Sequence, residues 1–152
     1  MTSRTLKVLF SSLLFATPLH AQDTEWFVQC EDDICVSQVV ASETGADDAV
    51  ATVSFFSPTG DQTVSLAVVL PLGVALEPGA QIVAGETVQS LVFKVCLPNG
   101  CTAYAEITPA LRTALEGAET LRVQFFAQSD LAARALELPT KGLSAVFDRM
   151  LQ

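Results

Sequence analysis

Histidine is almost absent from this chain, and the one copy lies in a segment that we expect to be removed. The 152 residues contain a single histidine, His20. Ser-His-Asp and Cys-His hydrolysis, and histidine-ligated zinc or copper sites, all need an imidazole. The sequence therefore excludes these classes for the chain that remains after processing.

The first 21 residues have the pattern of an export signal. Arg4 and Lys7 precede an apolar run that ends in Pro18-Leu-His-Ala21, so we expect cleavage after Ala21. The run is shorter than the roughly 20 residues that span a bilayer, and no later stretch is long enough to do so. The pattern predicts a signal peptide over 1–21 and one periplasmic, secreted or surface domain over 22–152.

Basic residues are scarce. The whole chain has eight lysines and arginines against 17 acidic residues, and removal of residues 1–21 leaves six against 17, a net charge of −11. Such a charge repels phosphate backbones and anionic lipid headgroups, and no basic cluster offsets it. We therefore expect no nucleic-acid partner and no membrane association.

The body of the chain is patterned as β-strands. Val64, Leu66, Val68 and Leu70 alternate with other residues, the period of two of a strand with one buried face. Turn-rich segments separate further β-branched and aromatic runs. Short strands with frequent turns predict an all-β sandwich. The predicted strands are 26–30, 35–41, 49–56, 62–70, 91–96, 101–107 and 121–127.

Two short helices are also predicted. Thr108 and Pro109 supply an N-cap and a first helical residue, and Gly117 supplies a stop. At the end of the chain, an amphipathic stripe predicts a second helix that packs against the sheets: Leu143, Val146, Phe147, Met150 and Leu151.

The four cysteines form two C-x4-C segments, Cys30–Cys35 and Cys96–Cys101. Four cysteines permit three pairings, and spacing alone does not select one. Both segments lie between β-type runs, and a four-residue hairpin loop would place its flanking residues opposite each other. The spacing therefore favours local disulfides over the two cross-linked alternatives. We expect each to contribute ~2 kcal/mol by closing a small loop.

A redox or metal role for the cysteines is disfavoured. Dithiol oxidoreductases use C-x-x-C at the start of a helix, whereas both segments here are C-x4-C. Zinc would compete with disulfide formation on the oxidising side of a membrane. We expect structural disulfides, no cofactor and no metal.

Carboxylates are the remaining candidates for chemistry. Asp32-Asp33 and Asp47-Asp48 are adjacent pairs, and paired acids can hydrolyse glycosides or bind calcium. Adjacent aspartates usually point in different directions, so solvated acidic loops are the commoner outcome. Lys141 and Ser144 run in the order opposite to S-x-x-K, and Lys141 is interpreted as a solvated residue at the start of a helix.

Several features in order resemble the invasion associated locus B family. They are Trp26-x3-Cys30, Leu70-Pro-Leu-Gly-Val74 followed by Glu77-Pro-Gly79, Phe93-x2-Cys96-x3-Gly-Cys-x-Ala103, and Leu138-x3-Gly142. The resemblance implies an exported protein of an α-proteobacterial envelope with an immunoglobulin-like β-sandwich. It brings no catalytic residues, and where Gly-Phe is expected at the last helix this chain has Gly142-Leu143.

The sequence supports two hypotheses about function. The preferred one is a non-catalytic binding module for an envelope or host protein, with contact loops at one end of the sandwich. The predicted contact residues are Glu31, Asp32, Asp33 and Ile34 in one loop and Leu97, Pro98, Asn99 and Gly100 in the other. The alternative is a small carboxylate-dependent envelope enzyme, such as a carbohydrate hydrolase.

Overall fold

The computed structural model describes residues 25–42 and 50–152, so the predicted signal peptide and Asp47-Asp48 lie outside the described residues. Within these described residues, nine strands and two helices follow one another. They are β1 (Gln29–Glu31), β2 (Ile34–Ser42), β3 (Val50–Pro58), β4 (Ser65–Leu70), β5 (Ala80–Ala84), β6 (Thr87–Leu97), β7 (Gly100–Glu106), α1 (Pro109–Gly117), β8 (Thr120–Phe126), β9 (Ala133–Pro139) and α2 (Leu143–Met150).

All strand pairs are antiparallel, in the spatial order β1-β2-β3-β4-β7-β6-β5-β8-β9. The long strand β6 is shared between two halves of the sheet. Its first part, from Thr87 to Leu91, pairs with β5, and its second part, from Val92 to Leu97, pairs with β7. A register shift between Phe93 and Val95 marks the second part, and such bulges bend strands.

The two halves enclose one core. Their inward residues belong to a single buried cluster, to which both helices contribute. Its aromatic centre runs from Trp26 through Phe55 to Phe147, with edge-to-face contacts at centroid distances of 5.2 and 5.1 Å. Nε1 of Trp26 donates to the Pro139 carbonyl at 2.7 Å, which ties the N-terminal segment to the end of β9. This arrangement confirms the predicted all-β, sandwich-like fold.

Both predicted helices are present. The Thr108 hydroxyl accepts a hydrogen bond from the Leu111 amide at 3.2 Å, and α1 ends at Gly117 as its stop signal predicts. In α2 the predicted stripe is buried at Leu143, Val146, Phe147 and Met150.

Arg112 connects the two helices. Its guanidinium donates to Glu116 within α1 and to Asp148 on α2, both at 2.7 Å, and lies over the Phe147 ring. The hydrogen bond to Glu116, supported by Asp148 and opposed by partial burial, raises the pKa of Arg112 above its usual value. The ion pairs therefore hold the helix ends together at the protein surface.

The strand predictions are right for most elements, but several details are wrong, among them the start of β4, which is Ser65 and not residue 62. The segment 26–28 precedes β1 instead of belonging to it, because the Trp26 side chain is drawn into the core. Strands β5 and β9 were not predicted, and β6 begins at Thr87, earlier than the predicted residue 91. Within the described ranges, no helix is long and apolar enough to cross a membrane.

Candidate interaction surface

The structure pairs Cys30 with Cys35 and Cys96 with Cys101, with S–S distances of 2.04 and 2.00 Å. The predicted four-residue loops are wrong. One further residue pair forms beyond each disulfide, leaving two-residue turns at 32–33 and 98–99. Each disulfide therefore joins the two strands of its hairpin one residue pair before the turn. Both pairs are direct cross-strand neighbours, with Cα atoms about 4 Å apart.

The two disulfide hairpins lie at opposite ends of the sheet. Cys35 is level with Ser57 on β3, near the start of β4, whereas Cys101 is level with Leu70 at the end of β4. Strands β3, β4 and β7 separate β2 from β6. The expectation that both loops meet at one end of the sandwich is therefore wrong, because the register places them at diagonal corners.

Gly100 is required by the close approach of two strands. Its φ is +143°, a conformation that favours glycine, and a Cβ there would lie 2.9 Å from Cγ1 of Val69 and even closer to the Leu70 carbonyl oxygen. Gly100 is buried, so among the predicted contact residues it is a packing position.

Between the two hairpins lies an outer surface without charge, which we call the apolar face. It is formed by the uncharged outward side chains of β2, β3, β4, β7 and the second part of β6, which in most of these strands alternate with buried residues. None of its members is charged: Val36, Gln38, Val40, Thr52, Ser54, Phe56, Ser65, Ala67, Val69, Val92, Val95, Thr102 and Tyr104. Three charged residues border or interrupt it: Lys94 at the bulge between Val92 and Val95, Glu106 opposite Ser65 at the end of β7, and Glu31 opposite Ile34 on β1.

Several side chains of the apolar face are open to solvent. Val40 is 59% exposed, Val92 56% and Val95 44%. Phe56 and Tyr104 form an edge-to-face pair on this surface, with centroids 6.3 Å apart. Contiguous exposed apolar surface with aromatic residues is typical of protein interaction sites.

The outward surface of the other half of the sheet is different. There the Gln81 amide donates to Gln124 at 2.6 Å, and Arg122 forms an ion pair with Glu137 at 3.1 Å. Val88 is 57% exposed and pairs with Val83, which in turn pairs with the charged Arg122. The contrast shows that lack of charge belongs to one half of the sheet and not to outward positions in general.

The hairpins contribute apolar residues to the apolar face. Ile34 is 43% exposed and follows the same alternation as Val36, and Leu97 is 52% exposed and follows that of Val95. These two residues therefore extend the face at opposite corners. The other predicted contact residues apart from Gly100 lie exposed at the turns or beside them: Glu31, Asp32, Asp33, Pro98 and Asn99.

A groove of about 620 Å³ lies between the N-terminal segment and α2. Glu25 to Val28 form one wall, and Gly142, Ala145 and Val146 form the other. The cations Lys141 and Arg149 both line it, together with one acid, Glu25. Lys141 is exposed just before α2, as the sequence predicts.

A smaller cavity of about 340 Å³ contains two carboxylates, Glu116 and Glu119. Both residues are exposed, and Glu116 is already bound to Arg112 at 2.7 Å. Asp32 and Asp33 lie on an exposed turn, away from either cavity. Within residues 25–42 and 50–152, no three His, Cys, Asp or Glu side chains cluster to hold a metal. No observation on these residues favours the carboxylate-dependent enzyme.

Comparison with known proteins gives a consistent result. The sequence profile described as "Invasion associated locus B (IalB) protein" matches residues 23–151. The crystal structure of invasion associated protein b from Bartonella henselae superposes with a TM-score of 0.70 at 16% identity, covering 86% of this chain and 94% of that one. Curated protein sequences give no match.

Proposed function

This chain belongs to the invasion associated locus B family, and on that premise we propose that it is an exported, non-catalytic module that binds an envelope or host protein through the apolar face. The observation that carries the proposal is the absence of charge across that face, in a chain with 17 acidic residues. An acidic protein gains solubility from surface charge, so a large uncharged and exposed surface indicates a contact that would be weakened by charge.

The shape of the face supports a protein partner. The outward side of a multi-stranded sheet is broad, and β-sheets pack face to face at a spacing of about 10 Å. Phe56 and Tyr104 supply aromatic area near its middle, and Ile34 and Leu97 extend it to the disulfide hairpins. Each hairpin corner is held by a disulfide, which limits the entropy lost when a partner binds.

An extracytoplasmic location fits the same picture. Two disulfides with no free cysteine in the described residues suit an oxidising compartment. The name of the Bartonella protein associates that protein with invasion. Our proposal for this chain concerns binding and does not depend on host entry.

Site-specific crosslinking in intact cells tests the proposal. A photoreactive phenylalanine derivative replaces Val92 on the apolar face or, as a matched control, Val88 on the same strand at nearly equal exposure. We expect a discrete protein adduct from position 92 that is absent from position 88. Mass spectrometry then identifies the partner.

Lysine substitutions give the complementary measurement with the identified partner. Val40→Lys is expected to weaken binding about tenfold or more, because an unpaired ammonium would be desolvated in the contact. Val88→Lys is expected to change it less than twofold. All variants should keep the stability of the parent within about 0.5 kcal/mol, since both sites are exposed. Equal adducts from positions 88 and 92, or unchanged binding by Val40→Lys, would contradict the proposal.

A further inference from the structure

The groove beside α2 has a charge pattern that is unusual for this molecule. Among the described lysines and arginines, Arg112, Arg122 and Arg134 form ion pairs. Lys94, Lys141 and Arg149 form none, although acidic residues outnumber basic ones about two to one in the chain, and the last two of these line the groove. Two unpaired cations in one groove, with Glu25 as the one acid among its described lining residues, therefore favour an anionic ligand.

The parts of both walls that lie between these cations are uncharged. Ala145 and Val146 lie on the α2 side, and Val28 and the largely exposed Phe27 lie on the other. At 1.5 Å per helical residue, Arg149 is about 10 Å along the axis from Gly142, beside Lys141. An elongated ligand with an apolar middle and an anionic group near each end therefore matches this lining.

The wall opposite α2 is a segment with unused backbone hydrogen-bonding groups. Residues 25–28 belong to no strand, and no backbone hydrogen bond joins Trp26 or Phe27 to another described residue. The segment leads directly into β1, which is the outermost strand of its half of the sheet. An added strand can pair with such an edge, which would supply affinity through the main chain.

From these contacts we propose that the groove binds an extended acidic peptide segment of a protein partner. The segment pairs with the edge at 25–28 and presents acidic side chains to Lys141 and Arg149. Alternate side chains of a strand are about 6.6 Å apart and residues i and i+4 about 13 Å apart. A peptide with acidic residues at i and i+4 and an apolar residue at i+2 therefore matches the two cations and the uncharged lining between them. The apolar face is a separate surface, so this proposal stands or fails independently of it.

Isothermal titration calorimetry tests binding directly. The Trp26 ring is 5% exposed and packs in the core, so binding is followed by its heat and not by fluorescence. The probe is the blocked peptide Glu-Thr-Val-Thr-Glu, titrated into the purified protein at low salt. We expect saturable binding that weakens with salt, and about tenfold weaker binding of Gln-Thr-Val-Thr-Gln.

Charge variants assign the binding to the groove. Lys141→Gln and Arg149→Gln are each expected to weaken binding about threefold, and about tenfold together, as for partly exposed ion pairs. Lys94→Gln removes the same charge from an unpaired, exposed lysine at the β6 bulge, away from the groove, and should change binding less than twofold. An equal effect of all three variants would overturn the proposal, because binding would then depend only on the net charge of the protein.

Peptide N-methylation tests strand pairing without changing the protein. Methylating the amides that face the edge should abolish binding, whereas methylating the alternate set should preserve it. If neither set matters, the peptide binds as an anion only and the strand proposal is overturned. It is also overturned if the peptide gives no saturable signal at millimolar concentration, or if laurate binds in its place, which would identify a site for anionic amphiphiles.

Discussion

Gly100→Ala is expected to cost the fold about 3 kcal/mol or more, because two separate penalties meet at one atom. A φ of +143° is strained for alanine by roughly 1–3 kcal/mol. The added Cβ also overlaps the Leu70 carbonyl oxygen and approaches Cγ1 of Val69 at 2.9 Å. Overpacking of this kind costs roughly a further 1–3 kcal/mol, and the nearest atom is backbone, which cannot rotate away.

Two other glycines separate these penalties. Gly85 has a φ of +56° and open space around its Cβ position, so Gly85→Ala should cost only about 1 kcal/mol of conformational strain. Gly117 has neither positive φ nor a close neighbour and lies at the end of α1. Gly117→Ala should be neutral or stabilise the protein by up to about 1 kcal/mol.

Urea unfolding with intact disulfides, followed by Trp26 fluorescence, measures all three variants. The difference between Gly100→Ala and Gly85→Ala isolates the contact with β4, and we expect about 2 kcal/mol for it. If the two variants lost the same stability within about 0.5 kcal/mol, the close approach of β7 to β4 would have no energetic consequence. The reasoning from the register would then be refuted.

Two further predictions concern stability. Removal of either disulfide should lower the unfolding free energy by about 2 kcal/mol in a denaturant titration. Removal of both should give the sum of the two effects, because the hairpins lie far apart. If the effects of Cys30→Ser/Cys35→Ser and Cys96→Ser/Cys101→Ser were strongly non-additive, this would count against the placement of the hairpins at opposite corners. Trp26→Phe should cost about 1–3 kcal/mol by circular dichroism, because it leaves the Pro139 carbonyl without its donor and reduces the core packing. Phe27→Leu, at an exposed neighbouring position, is its control and should stay within about 0.5 kcal/mol.

Local signals predicted the parts of the fold that depend on near neighbours. The Thr108-Pro109 signal defines the start of α1 because N-capping is settled within a few residues. Strand β9 escaped prediction for the opposite reason. Its segment, Ala133–Pro139, is rich in alanine and leucine, residues that favour helix in isolation, and it is extended because it pairs with β8 along its whole length.

The disulfide hairpins also combine a property that the sequence predicts with one that it does not. C-x4-C between two β-type runs was enough to favour local pairing over the cross-linked alternatives. Spacing could not place the hairpins relative to each other, since two strands and three registers lie between them. The apolar face left a weak trace in the sequence, as the uncharged residues that alternate with the buried ones in β2, β3, β4 and β7. Its continuity depends on strand order, which the alternation within single strands does not specify.

By itself, then, the sequence determined the fold class, both helices and the absence of histidine chemistry, because these follow from composition, periodicity and short-range capping. Only the tertiary structure decided that the disulfides stand at diagonal corners, that an uncharged face lies between them, and that Lys141 and Arg149 line one groove with Trp26. Some of these arrangements bring together residues that are more than a hundred positions apart in the sequence. The register of many antiparallel pairs and the burial of one aromatic side chain bring them together.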